Sequence, residues 1–289
     1  MIGHDATTLL AAAAGDAGDG AESHFPLVLA PQLREMRREE RPEDADDDKL
    51  PPAARKRADW NGVVELCESS LRDKGLDLRT ACHLAEAKLR TDGLAGLAVG
   101  LELLARMTVE HWERLLPRCD EDVDARAVPL QNLLDDPDRG VCFPTVIRTA
   151  HVIGGSRKAS YADWLRLRSV RDGEAADELA RLRAETPPGS FAQLVADAER
   201  CLEWLERLRT SLEERMGEEA PSLLNLTTAL RDVRGLLVEE LSLLGGDASV
   251  ASAEATTSPG GDSQRVEPAS TNGSTSGSTS GSTSGLGAA

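Results

Sequence analysis

Between Phe191 and Leu241 the apolar residues keep a helical beat. Phe191, Leu194, Ala198, Cys201, Leu205, Leu208 and Leu212 alternate spacings of three and four, which puts them on one narrow stripe of a long helix. Gly217 ends that helix, and Pro221 suits the first turn of the next. Leu223, Leu226, Leu230, Val233, Leu237 and Leu241 form a second stripe. So short a connection predicts an antiparallel hairpin packed stripe on stripe at a shallow crossing angle. Each fully buried Leu contributes about 1.5–3 kcal/mol, so the hairpin needs little outside help. Leu224, Leu236 and Leu244 are left over, to face the N-terminal domain or another copy of the chain.

The rest of the chain reads the same way. Three Phe, one Tyr and four Trp in 289 residues leave the core to Leu, Val and Ala, a palette that favours helices over sheets. Asp59 is placed to cap a helix carrying Trp60, Val63, Val64, Cys67 and Leu71, which Gly75 ends. Asp77 opens a second, with Leu78, Ala81, Leu84, Ala85 and Leu89, stopping near Gly93. A third starts there, carries Leu94, Leu97, Leu101 and Leu104, and continues through Trp112 and Leu115 to Pro117. Residues 118–160 are broken by Asp135-Asp136-Pro137-Asp138, Gly140, Pro144 and Gly154-Gly155. Within them Val141–Val152 is apolar enough for helix or strand, and the lack of partner strands favours helix. Tyr161–Val170 and Ala175–Ala184 read as short helices.

Gly96 and Gly100 lie on one face of the third helix, where each glycine costs about 0.5–1 kcal/mol relative to Ala. They make sense if another helix backbone approaches closely. A membrane G-x-x-x-G motif does not fit, because the span is short and runs into Glu102 and Arg106. A dinucleotide fingerprint does not fit either, since Gly93, Gly96 and Gly100 follow no strand.

The ends look unlike the middle. Residues 1–30 read as a disordered arm; the apolar Leu9–Ala14 stretch has no basic lead-in and is flanked by Asp5 and Asp16, unlike a signal peptide. Glu35 to Arg57 is dense in charge and reads as a solvated loop or poorly packed helix rather than a binding epitope. Residues 246–289, with Gly273-Ser274-Thr275-Ser276 repeated through Gly285, are flexible linker chemistry and predict a disordered tail.

Fifty acidic against 33 basic residues give a net charge of −17, which opposes nucleic acid and anionic membrane surfaces as partners. No run of about 18 apolar residues is present to insert in a bilayer. Cys67, Cys82, Cys119, Cys142 and Cys201 are an odd, widely spaced set, read as small buried hydrophobes in a reducing cytoplasm.

No catalytic motif survives inspection. His111-Trp112-Glu113 lacks the second histidine of a zinc hydrolase helix. The histidines His4, His24, His83, His111 and His151 share no ligand spacing with the cysteines, and His83 and His111 read as surface or boundary residues. Glu110 and Glu113 share a helical face as solvated charges, and Asp120, Asp122 and Asp124 lack the glycine and glutamate of a calcium loop. The expectation is an all-α protein that is not an enzyme, with no catalytic residue, no metal and no cofactor.

One set of residues, in order, resembles a known family. It comprises Ala58-Asp59-Trp60, Leu76-Asp77-Leu78-Arg79-Thr80-Ala81, Gly93-Leu94-Ala95-Gly96-Leu97-Ala98-Val99-Gly100-Leu101, Trp112 to Pro117 and Asp124-Ala125-Arg126. The order is similar to the ImpA-type N-terminal domain of the TssA family of the bacterial type VI secretion system. The Gly-Leu repeat followed by Trp and Pro is the specific part. Met216 to Leu223 also resembles the family's following hairpin, so the likeness covers about residues 30–245. Family members usually have Ser-Lys where Gly75-Leu76 stand and an aromatic or His where Leu116 stands.

The resemblance implies a helical ImpA-like domain at 31–135, a second helical region with the hairpin at 136–245, and a non-enzymatic assembly or adaptor component in the cytoplasm. Its partners would be baseplate, inner tube and contractile sheath proteins. Trp60, Asp77, Leu78, Arg79, Gly93, Gly96, Leu97, Gly100, Leu101, Trp112, Pro117 and Arg126 carry the family motif, as structural or interface residues. Family members also assemble into homo-oligomeric rings through a C-terminal domain, and here the Gly/Ser/Thr tail stands in that place. That leaves two other readings: a sheath-binding regulator or stop protein that forms no ring, and a helical scaffold outside the secretion system.

Overall fold

The computed structural model describes residues 5–13, 21–39, 56–119, 123–135, 143–155, 157–170 and 173–254. Eleven α-helices in this part run in chain order: α1 Ala6–Ala12, α2 Ala21–His24, α3 Ala30–Arg37, α4 Trp60–Lys74, α5 Leu78–Glu110, α6 Asp124–Leu130, α7 Phe143–Thr149, α8 Tyr161–Ser169, α9 Gly173–Glu185, α10 Pro188–Met216 and α11 Leu224–Glu254. Wide helical turns at Phe25–Leu29 and Gln131–Asp135 extend α2 into α3 and α6 towards α7. The expected all-α class is what the chain adopts. Met1–Ala248 form one compact unit and Ser249–Ala289 a second, of which only the end of α11 is described. The regions 31–135 and 136–245 therefore lie inside one unit.

Several boundaries follow from the capping residues the sequence displays. The Asp59 carboxylate accepts from the Gly62 amide at 2.9 Å at the start of α4. Asp77 accepts from the amides of Arg79 and Thr80 at 2.8 and 3.3 Å at the start of α5. Ser160 and Asp163 form a reciprocal capping box on α8, which satisfies two otherwise orphaned amides. Gly217, at φ 60°, ends α10. Only glycine adopts that region freely.

Four expectations are corrected. First, the N-terminal arm is ordered over its described residues. Asp5 caps α1 at Thr8, and Ala6, Leu9, Leu10 and Ala13 are buried against α4 and α5. Arg106 and Arg114 hold it from the other side, donating to the Thr7 hydroxyl and the Ala13 carbonyl. Composition hid this because a short Ala/Leu helix gains its stability from tertiary burial rather than from propensity.

Second, the helix expected to reach Pro117 ends at Glu110, with a single tight turn at Trp112–Arg114. Third, residues 153–159 carry a two-stranded hairpin pairing Ile153 with Ala159 and Gly154 with Lys158, too short for alternation to register in sequence. Fourth, α11 starts at Leu224 rather than at Pro221. The buried Asp135 carboxylate accepts from the Leu226 amide at 2.7 Å, so that start is capped from a distant segment. At its other end α11 passes Gly245 and continues to Glu254. Residues 255–289, where the disordered tail was expected, lie outside the described residues, as do most of the charged 35–57 stretch and Cys142.

The hairpin is antiparallel, joined across its outside by Arg234 and Glu199 at 2.6 Å. Its stripes are shared more widely than expected. Among the described helix pairs the most extensive packing is that of α10 on α5, and the Cys201 thiol reaches the Leu94 carbonyl at 3.3 Å. On α11, Glu240 is 1% exposed and accepts from the Trp164 indole at 3.0 Å and from Arg183 at 2.6 and 2.9 Å, tying α8 and α9 to it. Of the leftover leucines, Leu236 is buried, Leu244 half-buried and Leu224 exposed.

Candidate interaction site

Gly93 divides α5. With φ 67° and ψ −149° it interrupts the helix, so residues 78–92 and 94–110 are two halves folded back on each other. A Cβ on Gly96 would fall 2.3 Å from the Lys88 carbonyl oxygen, and one on Gly100 would fall 2.5 Å from the Ala85 Cβ. The glycines therefore serve close packing, and the backbone they admit is the preceding half of α5. Leu97 and Leu101, beside them, are fully buried.

The folded-back helix carries charge into the core. Lys88 and Glu68, at 3% and 6% exposure, meet at 3.0 Å between α5 and α4. Glu86 pairs with Arg37 of α3 at 2.7 Å. Burial nevertheless leaves the Glu86 carboxyl above the ordinary carboxylate range, since Arg37 and Arg90 offset only part of the desolvation.

At the start of α5 the motif residues come together. The Arg79 guanidinium grips Asp77 through Nε at 3.1 Å and a second nitrogen at 2.5 Å. The backbone of Leu76–Leu78 runs beside Leu116, which exchanges hydrogen bonds with Leu76 and Leu78 at 2.9 Å. The Leu116–Pro117 peptide is cis. Arg126, 2% exposed, fastens this loop from α6 by donating to the carbonyls of Pro117, Trp112 and Leu115 at 2.7, 3.0 and 2.7 Å. Its guanidinium also lies 4.5 Å from the Trp112 ring centroid, a stacking that only a planar cation makes well. Asp77, Leu78, Arg79, Trp112, Pro117 and Arg126 thus form one cluster. Trp60 stands apart, half-buried between Arg90 and Arg37 at 5.1 and 5.9 Å.

Beside that cluster opens a cavity of about 610 Å³. Its walls come from α3, the first half of α5 and the α6 region. Arg34, Arg37, Arg38 and Arg79 line it together with apolar Phe25, Leu33 and Leu133. His83 lines it too, 7% exposed and stacked on Phe25 at 5.9 Å, with Nδ1 lacking a hydrogen-bond partner among the described residues. Burial, reinforced by the charge of Arg37, drives its pKa down to about 3, so the ring is neutral at pH 7. The surface or boundary reading of His83 is thereby corrected.

Among the described residues no group of three or more His, Cys, Asp or Glu is arranged to hold a metal ion, and no helix is long and apolar enough to cross a membrane. Cys67, Cys82 and Cys201 are buried, and burial pushes their thiols far above the ordinary range.

Residues 13–135 match the family described as ImpA, N-terminal, type VI secretion system. Over these residues the chain is similar to the TssA components of that system. It is similar to the type VI secretion system component TssA1 of Pseudomonas aeruginosa, 26% identical over 247 residues that cover 83% of this chain and 68% of the relative. Its fold is similar to the solved N-terminal domain, including the conserved ImpA_N region, of the TssA component from Burkholderia cenocepacia. That likeness has a TM-score of 0.60 and 25% identity, and covers 80% of this chain and 89% of the other.

The arginine-lined cavity lies wholly within the matched ImpA-type region. Of the motif residues only Arg79 lines it. No motif in the sequence points to Phe25, Arg34 or Arg37, and the sequence places His83 at the surface or boundary. The available signal was the i, i+3 spacing of Arg34 and Arg37, which puts both on one face of α3.

Proposed function

We propose that this chain is a TssA-family, non-enzymatic assembly component of the type VI secretion machine. It works in the cytoplasm, docking through its N-terminal helical domain on baseplate, inner tube or sheath proteins. The likeness of fold and sequence to a TssA N-terminal domain over four-fifths of the chain carries this reading. The internal chemistry supports it. Buried carboxylates are matched between helices, Glu68 by Lys88 and Glu240 by the partly exposed Arg183, and these pairs hold elements in register.

Affinity capture of the chain from its native cells, with bound proteins identified by mass spectrometry, tests the proposal. Recovery of sheath, tube or baseplate subunits is the expected result. Clean capture without any of them, from cells that make those proteins, overturns it.

A further inference from the structure

We propose that the cavity between α3, α5 and the α6 region is a docking pocket for a short acidic peptide segment of a partner protein, its carboxylate seated among Arg34, Arg37, Arg79 and His83. The inference rests on the adaptor reading only in taking the occupant to be protein.

Charge makes the first argument. In a chain of net charge −17 the described residues that line this cavity include four arginines and no acidic residue. Three of the four already show which anion they take: Arg37 pairs with Glu86, Arg38 with Glu35 and Arg79 with Asp77. Arg34 is exposed and makes no ion pair among the described residues. Arg34 is thus the guanidinium that the wall can offer to a single carboxylate without breaking a described ion pair. A polyanion such as nucleic acid would meet the repulsion of the whole molecule.

The second argument is independent of charge. A buried polar atom without a partner is rare and costly. Two residues of this wall carry an atom without a hydrogen-bond partner among the described residues, Nδ1 of His83 and Nε of Arg37. A carboxylate that reached them would accept from Arg37 Nε and, with the imidazole proton on Nδ1, from His83. The apolar lining of Phe25, Leu33 and Leu133 then receives an aliphatic neighbour of the acidic residue. The volume of about 610 Å³ falls in the range of small-ligand pockets, so it takes a few side chains rather than a folded element. Leu27, Val28 and Val128 are exposed on the elements that supply the wall.

Fluorescence anisotropy on the full chain tests this, using a labelled peptide of alternating Asp and Leu and a counterpart with Asn for each Asp. The acidic peptide is expected to bind at least tenfold more tightly than the amide peptide. Arg34→Glu, which breaks no described contact, is expected to weaken it at least tenfold while leaving the circular dichroism melt unchanged. Nitrogen NMR of the histidines adds a local readout: the acidic peptide should move His83 Nδ1 and leave His111 and His151 in place. Equal binding of the two peptides, unaltered binding by Arg34→Glu, a still His83, or displacement by equimolar inorganic phosphate would each overturn the pocket. None of these results bears on which secretion subunits the native chain captures, so the two proposals fail separately.

Discussion

Gly100 rests against Ala85 with no room between them for a methyl group: a Cβ there would lie 2.5 Å from the Ala85 Cβ and 2.6 Å from its Cα. The close contact is internal to α5, between the halves that Gly93 separates. Replacing Gly100 by Ala gains up to about 1 kcal/mol of helix propensity, yet the neighbour it meets is backbone and cannot move aside. Gly100→Ala is therefore expected to be destabilising by about 1–3 kcal/mol. Gly96→Leu, which drives a larger side chain into the Lys88 carbonyl, is expected to lose solubility as well. Thermal melts followed by circular dichroism check both. A near-wild-type melting temperature in either would remove the close-packing account.

Arg126 fastens the loop from Trp112 to Pro117 to α6 through three carbonyls. Its three carbonyl acceptors need a planar fork of donors, and an ammonium group cannot reach all of them at once. Arg126→Lys should thus cost at least about 2 kcal/mol, as buried carbonyls lose charge-assisted partners. Urea unfolding with the slope held constant measures this. A loss below about 0.5 kcal/mol would mean that water replaces the guanidinium without penalty.

These two sites also show how far sequence alone reaches. Asp59, Asp77, Gly75, Gly93 and Gly217 act locally, within a few residues of where they stand, so the helix boundaries they set are legible in one dimension. The glycine pair was legible as a close approach, while its partner was not, because nothing in the spacing says which backbone arrives. Leu9 and Leu10 looked like part of a loose arm since their burial depends on α4 and α5, remote in sequence. The same applies to the candidate site. Arg37 stands in a charged stretch that reads as solvated, with Arg34 just before it, and only the fold brings His83, 46 positions beyond Arg37, to the same wall.

Glu240 joins three helices through Arg183 and Trp164. Burial by itself would raise its pKa, but the hydrogen bonds from Arg183 and Trp164 outweigh it and leave the carboxyl below its ordinary 4.5. A carboxyl held lower in the folded state adds stability that is present above about pH 4.5 and disappears as pH falls through the folded-state pKa. Glu240→Ala, which strands Arg183 and the indole, is expected to cost about 3–5 kcal/mol at neutral pH. Glu240→Gln should cost less and flatten the stability profile below pH 4.5. Chemical denaturation across pH 3–7 compares them; a Gln variant as acid-sensitive as wild type would contradict the assignment.

His83 works in a higher and wider pH window. Its pKa falls from 6.5 to about 3 on folding, through burial first and the Arg37 charge second. The unfolded chain therefore binds a proton that the folded chain refuses, and stability rises with pH between those values. It is complete above about pH 6.5 and lost progressively towards pH 3. At ~1.4 kcal/mol per pH unit the change amounts to about 5 kcal/mol over the window. His83→Gln keeps a polar side chain of similar reach and removes the titration, so its stability should vary far less between pH 6.5 and 4.5, above the range in which Glu240 acts. NMR titration of the wild-type imidazole gives the direct check: a His83 pKa near 6.5 would show that the ring is hydrated and that this acid sensitivity lies elsewhere.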